Sequence, residues 1–109
     1  MKDFWPRPDE LEPYHRITEI LGCKWSLAIF DAIQRNINRP SQIEREYDGL
    51  TATQLHRCLN RLESDGILVK QVVTDSPPHT EYALTENGKQ LVDVLASIRS
   101  LATNWPASH

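Results

Sequence analysis

The side chains of this chain best suited to engage another molecule are concentrated on one stretch, Thr51-Ala-Thr-Gln-Leu-His-Arg-Cys-Leu-Asn-Arg-Leu-Glu-Ser-Asp-Gly66. Leu55, Leu59 and Leu62 recur there at helical spacing and share one face. At about 100° per residue the opposite face carries Thr53, Arg57, Asn60, Arg61 and Ser64. An arginine can take guanine O6 and N7 with two parallel hydrogen bonds, or grip a phosphate. Arg57 and Arg61 are therefore candidate DNA contacts, with Arg61 nearer the phosphates. Thr53 and Gln54 lie at the start of the stretch, where base contacts concentrate in helix-turn-helix proteins, and Gln54 suits adenine. Asn60 is a further candidate. The bland alternative is a solvated helix face, with Glu63 and Asp65 balancing the two arginines and Thr53 and Gln54 serving a cap.

Other candidates flank this stretch. Ser41 and Gln42 open a short segment whose helix N-terminus favours a phosphate, and Arg39 just before it adds charge. Ser41 suits a purely capping role equally well. Lys70 and His79 flank a turn and could reach a phosphate, although an exposed loop histidine with no role is the plainer reading. Cys23 follows a glycine and precedes Lys24, a setting that can lower a thiol pKa and make it a redox sensor. Cys58 reads as a half-buried small hydrophobe, and Trp25 as core or, more sharply, as a surface that stacks on a ligand. The four histidines, His15, His56, His79 and His109, fall in four separate elements. No Gly-rich phosphate loop or nucleophile elbow is present, and the two cysteines form no Cys-x-x-Cys pair. Neither an enzyme nor a metal or cofactor site is expected.

The elements that must position these groups follow from periodicity and punctuation. Residues 1–13 are rich in proline and acid and read as an extended arm, with Phe4 and Trp5 apolar enough to dock on a partner subunit or on their own domain. The domain then spans 14–105. Tyr14–Leu21 and Lys24–Arg35 read as helices, the second carrying the widest apolar stripe: Trp25, Ala28, Ile29, Ala32 and Ile33. Ser41, with Glu44 as capping-box partner, starts a short helix over Gln42–Tyr47, and Asp48-Gly49 turns into the Thr51 helix. Ile67–Thr74 and Thr80–Leu84 are rich in β-formers and bracket a turn at Asp75–His79 that no strand could contain. Thr85 caps a long last helix from Glu86 to about Thr103.

Three helices followed by a hairpin predict an α+β, mainly α, winged helix-turn-helix. The last helix carries Leu91, Val92, Val94, Leu95, Ile98, Leu101 and Ala102, more apolar circumference than one small domain buries. It and the Tyr14–Leu21 helix are expected to form a dimer seam. The net charge of −3 argues against a non-specific nucleic-acid coat but leaves room for a sequence-specific binder. No apolar run approaches a membrane span and the start lacks a signal-peptide core, so a cytoplasmic protein is expected.

The chain resembles the HxlR-type winged-helix regulators, a branch related to MarR regulators. Gly22-Cys23-Lys24-Trp25-Ser26-Leu27 is similar to that family's Gly-Gly-Lys-Trp-Thr-Leu signature. Arg39-Pro40-Ser41-Gln42-Ile43 matches the entry to its third helix. Leu59, Leu62-Glu63 and Asp65-Gly66-Ile67 match the end of its recognition helix, and the run from Pro77 to Gly88 matches its wing and last helix. The resemblance covers about Pro13 to Trp105. It implies a homodimeric bacterial transcription regulator on palindromic operator DNA. Cys23 and Trp25 beside the expected dimer seam motivate a further expectation, control by a small molecule or an oxidant. The departures are specific. The Cys-Pro pair that many members carry near the N-terminus is Glu12-Pro13 here. Thr53, Cys58 and Asn60 stand where arginines are frequent, and His79 where Arg often follows Pro-Pro. These losses, with the negative net charge, motivate an alternative: a winged-helix protein-interaction module that has lost DNA binding.

Overall fold

The computed structural model describes residues 6–74 and 77–106. A 3-10 turn at Pro8–Glu10 leads into α1, Leu11–Leu21. The extended arm predicted for 1–13 is therefore corrected over residues 8–13, while Phe4 and Trp5 lie outside the described residues. Pro8 takes the first position of the 3-10 turn, and Pro13 falls in the first turn of α1. Backbone N–H groups there have no intrahelical partner to lose, so proline is tolerated.

α2 follows at Lys24–Gln34 and supplies the centre of the core through Ile29, Phe30 and Ala32. It ends through Asn36, which adopts a φ of 65°. This left-handed residue lets the Ile37 N–H return to the Ala32 carbonyl at 2.9 Å. α3 runs Pro40–Glu46, and its N-cap is Arg39, with no side chain capping it. The expected Ser41 cap and Glu44 capping box are thus corrected. Proline is preset for the first helical position and pushes the residue before it into extended backbone, so the helix begins ahead of Ser41.

α4, Ala52–Ser64, forms as its sequence dictates. Thr51 caps it and Gln54 completes a capping box, and Leu55, Leu59 and Leu62 are fully buried. It closes through Gly66 at φ 76°, which allows the Ile67 N–H to reach the Leu62 carbonyl at 2.9 Å. β1, Leu68–Val73, and β2, His79–Leu84, pair antiparallel, with Leu68 opposite Leu84 and Val73 opposite His79. The wing is bound to the helices by buried Tyr82, whose N–H donates to the Asn38 carbonyl at 2.9 Å.

α5 spans Glu86–Thr103. Thr85 is its N-cap, accepting from the Gly88 N–H at 3.1 Å while its hydroxyl donates to the carbonyls of Gly66 and Ile67. This fastens the start of α5 to the end of α4. Leu91 is buried and Val92 and Leu95 pack partly on the core. Val94, Ile98 and Leu101 are exposed, as are Tyr14 and Ile17 on α1.

Candidate nucleic-acid interface

The helix pair α3–α4 displays an outward face because the leucines of α4 are committed to the core. Thr53, Arg57, Asn60 and Ser64 are all exposed along that face. Among the described residues no carboxylate forms an ion pair with Arg57. Among the described residues its guanidinium donates no side-chain hydrogen bond either.

Arg61 is in a different position. Its Nη2 lies 2.8 Å from Glu19 Oε1 on α1, and its Nε lies 3.8 Å from Asp65 Oδ2. Asp65 also receives Arg16 Nη1 at 3.8 Å. Its Oδ2 is sealed from solvent and makes no hydrogen bond. Arg61, Arg16, Glu19 and Asp65 thus form an ionic seam between α1 and the end of α4. The helical wheel missed it because Glu19 is remote in sequence.

Gln54 is only half exposed, and its Oε1 accepts from the Thr51 N–H at 3.1 Å. A bidentate pair with adenine needs both ends of the amide. With the capping box intact only the NH2 end is available.

The structure brings Arg39 and His79 together through a residue that the sequence reading passed over. Glu81 Oε2 lies 2.7 Å from His79 Nε2 and 3.7 Å from Arg39 Nε. Two candidate phosphate ligands therefore share one carboxylate on β2 of the wing. Strand alternation cannot reveal that Arg39, from the start of α3, lies beside Glu81. Lys70 is exposed on β1, Ser41 is exposed at the start of α3, and Gln42 is half-buried.

A second network braces the pair from behind. Tyr47, at the end of α3, donates its hydroxyl to Asp31 on α2, and Arg35 reaches Asp31 at 3.1 Å and Glu46 at 2.9 Å. The hydrogen bond from Tyr47, helped by the Arg35 charge and opposed by burial, holds the Asp31 carboxyl below its ordinary pKa. Trp25 is half-buried against the core, with Lys24 Nζ 4.6 Å from its ring centroid.

Among the described residues no cluster of three or more His, Cys, Asp or Glu is placed to hold a metal ion, and no helix is long and apolar enough to cross a membrane.

The model of the HxlR-like helix-turn-helix family matches residues 20–109. The chain belongs to this family. It is a DNA-binding transcriptional regulator built on the winged helix-turn-helix. The uncharacterized HTH-type transcriptional regulator YvaP of Bacillus subtilis is 30% identical over 92 residues, covering 84% of this chain and 85% of that protein. A MarR-family transcriptional regulator from Enterococcus faecalis V583 superposes with a TM-score of 0.75 at 28% identity, covering 89% of this chain and 87% of that one. The oxidised form of the redox regulator HypR gives a TM-score of 0.70 at 26% identity, covering 88% of this chain and 99% of that one.

Proposed function

We propose that this regulator acts as a homodimer on a palindromic operator, with each α4 in a major groove. The observation that carries the reading is Arg57, exposed and without an ion-pair partner among the described residues on a helix whose other face is wholly buried. Arg57 reads a base, with Thr53, Asn60 and the free end of the Gln54 amide beside it. Ser41 and Gln42 at the start of α3, Lys70, and Arg39 and His79 once Glu81 yields them, hold phosphates. Arg61 contributes only when it leaves Glu19.

The dimer is supported by the apolar side chains left exposed on α1 and α5. Between these helices an open groove of about 400 Å³ is lined by Ile17, Ile20, Leu91 and Val94. Recognition helices about 34 Å apart would meet successive major grooves of one duplex face. An oxidant is the effector class that the likeness to a redox regulator favours.

Duplexes enriched by the protein from a random-sequence pool, then titrated by fluorescence anisotropy, test the proposal. The expected result is an inverted repeat bound well above its scrambled control. Equal affinity for both, or no binding at low salt together with a stably co-purifying protein partner, would replace it with the protein-interaction reading.

A further inference from the structure

β2 is tied to the entry of α3 by one main-chain bond, from the Tyr82 N–H to the Asn38 carbonyl at 2.9 Å. That bond sets the neighbouring side chains, Glu81 on β2 and Arg39 ahead of α3, beside each other. β1 holds Glu81 in register, with Gln71 as its partner. The Glu81 carboxylate is therefore fixed in place through its backbone by two neighbouring segments. Its Oε2 meets both candidate phosphate ligands at once, His79 Nε2 at 2.7 Å and Arg39 Nε at 3.7 Å.

These contacts compete with DNA. An ionised carboxylate only accepts, so the His79 Nε2 proton is donated to Glu81, while Nδ1 faces the Pro77 carbonyl oxygen at 3.5 Å. A phosphate oxygen also only accepts, and needs the same donors. The charges of Arg39 and Glu81 cancel formally, and with a neutral imidazole the cluster sums to zero. The Glu81 and His79 side chains are only 27% and 19% exposed. Charges so sheltered are screened less than those on an open surface.

We propose that Glu81 limits the DNA affinity of this regulator by withholding Arg39 and His79 from backbone phosphates. The proposal rests on the reading of those two residues as phosphate ligands. The charge balance of the chain makes one carboxylate matter. The net charge is −3, and on the α4 stretch Glu63 and Asp65 already offset Arg57 and Arg61. Phosphate contacts position a protein on the duplex without reading its sequence. The effect of Glu81 therefore falls alike on the operator and on an unrelated duplex, and leaves base reading by Arg57 as it is.

The test compares wild type with Glu81→Gln, which keeps the size of the side chain and removes its charge. Kd is read by fluorescence anisotropy on the enriched duplex and on its scrambled control, over a potassium chloride series. Glu81→Gln should bind both duplexes about tenfold more tightly at about 50 mM salt. Each newly engaged phosphate should steepen the dependence of log K on log salt by about 0.9. The ratio of the two affinities and the preference at each base pair should stay as in wild type. With Arg39→Ala and His79→Ala both present, the same substitution should change Kd less than about twofold. Urea midpoints check that the variants fold, and Glu81→Ala supplies a second uncharged variant where Glu81→Gln is destabilised. Weaker binding by a folded variant would make Glu81 a support for Arg39 and overturn the proposal. Unchanged affinity and salt dependence, or a gain that survives loss of both Arg39 and His79, would overturn it as well. If wild type binds both duplexes alike, the operator reading fails, while the shift between wild type and Glu81→Gln on either duplex still decides the role of Glu81.

Discussion

Arg61 on α4 is held 2.8 Å from Glu19 on α1, whereas Arg57, one turn earlier, forms no ion pair among the described residues. The two arginines look equivalent on a helical wheel and should behave differently in solution. Arg57→Ala should cost roughly 1–3 kcal/mol of operator binding and relax preference at one base pair. Arg61→Ala should change affinity far less, and its stability cost should come more from the Asp65 carboxylate, whose Oδ2 is sealed from solvent, than from the exposed Glu19. Anisotropy titrations on the operator and its single-base variants separate the two. Equal losses would mean that Arg61 abandons Glu19 on binding.

Gly88 in the first turn of α5 lies against the start of the wing. A Cβ there would run into the Ile67 carbonyl oxygen, and Leu84 Cδ2 would be 3.1 Å away. Neither backbone nor helix start can give way cheaply, because Thr85 already ties both to the end of α4. Gly88→Ala should therefore destabilise by about 1–3 kcal/mol. Urea denaturation should show a lower midpoint with an unchanged m-value.

The bond from Tyr47 to Asp31 gives a stability contribution with a defined pH dependence. Asp31 is held below its ordinary pKa in the folded chain, by the Tyr47 hydroxyl first and then by Arg35. A carboxyl depressed on folding contributes fully above its unfolded pKa, about 3.9, and loses that contribution as pH falls through the folded value. The Asp31 side chain is 58% exposed, so solvent screening keeps the contribution below about 1 kcal/mol. Wild type should exceed Tyr47→Phe in stability by this margin near neutral pH, and the gap should narrow below about pH 4. Urea melts of both proteins across that range measure it; a gap that widens on acidification would contradict the assignment.

Ile98 is 45% exposed on α5, in line with Val94 and Leu101. Ile98→Asp should leave the monomer folded, since the side chain contributes little to the core, and should drive a dimer to monomer in sedimentation velocity. Operator affinity should fall with it, because one half-site supplies about half the contacts. A dimer that survives the change would place the seam elsewhere.

Most of the local architecture was legible in the residues. The capping box of Thr51 and Gln54, the leucines of α4, the hairpin and the Thr85 cap are all short-range patterns, and each appears where the sequence predicts, except that His79, read as part of the turn, pairs with Val73 as the first residue of β2. The two helix starts that moved, to Leu11 and Pro40, did so because proline is favourable in a first turn as well as unfavourable in a helix interior. The sequence by itself determined which face of α4 is apolar and which is polar, since that depends only on periodicity. Only the tertiary structure decided which polar groups stay free. Arg61 meets Glu19, and Glu81 gathers Arg39 and His79, through packing of elements remote in sequence. Side-chain spacing along one helix carries no information about the angle and distance at which another element crosses it.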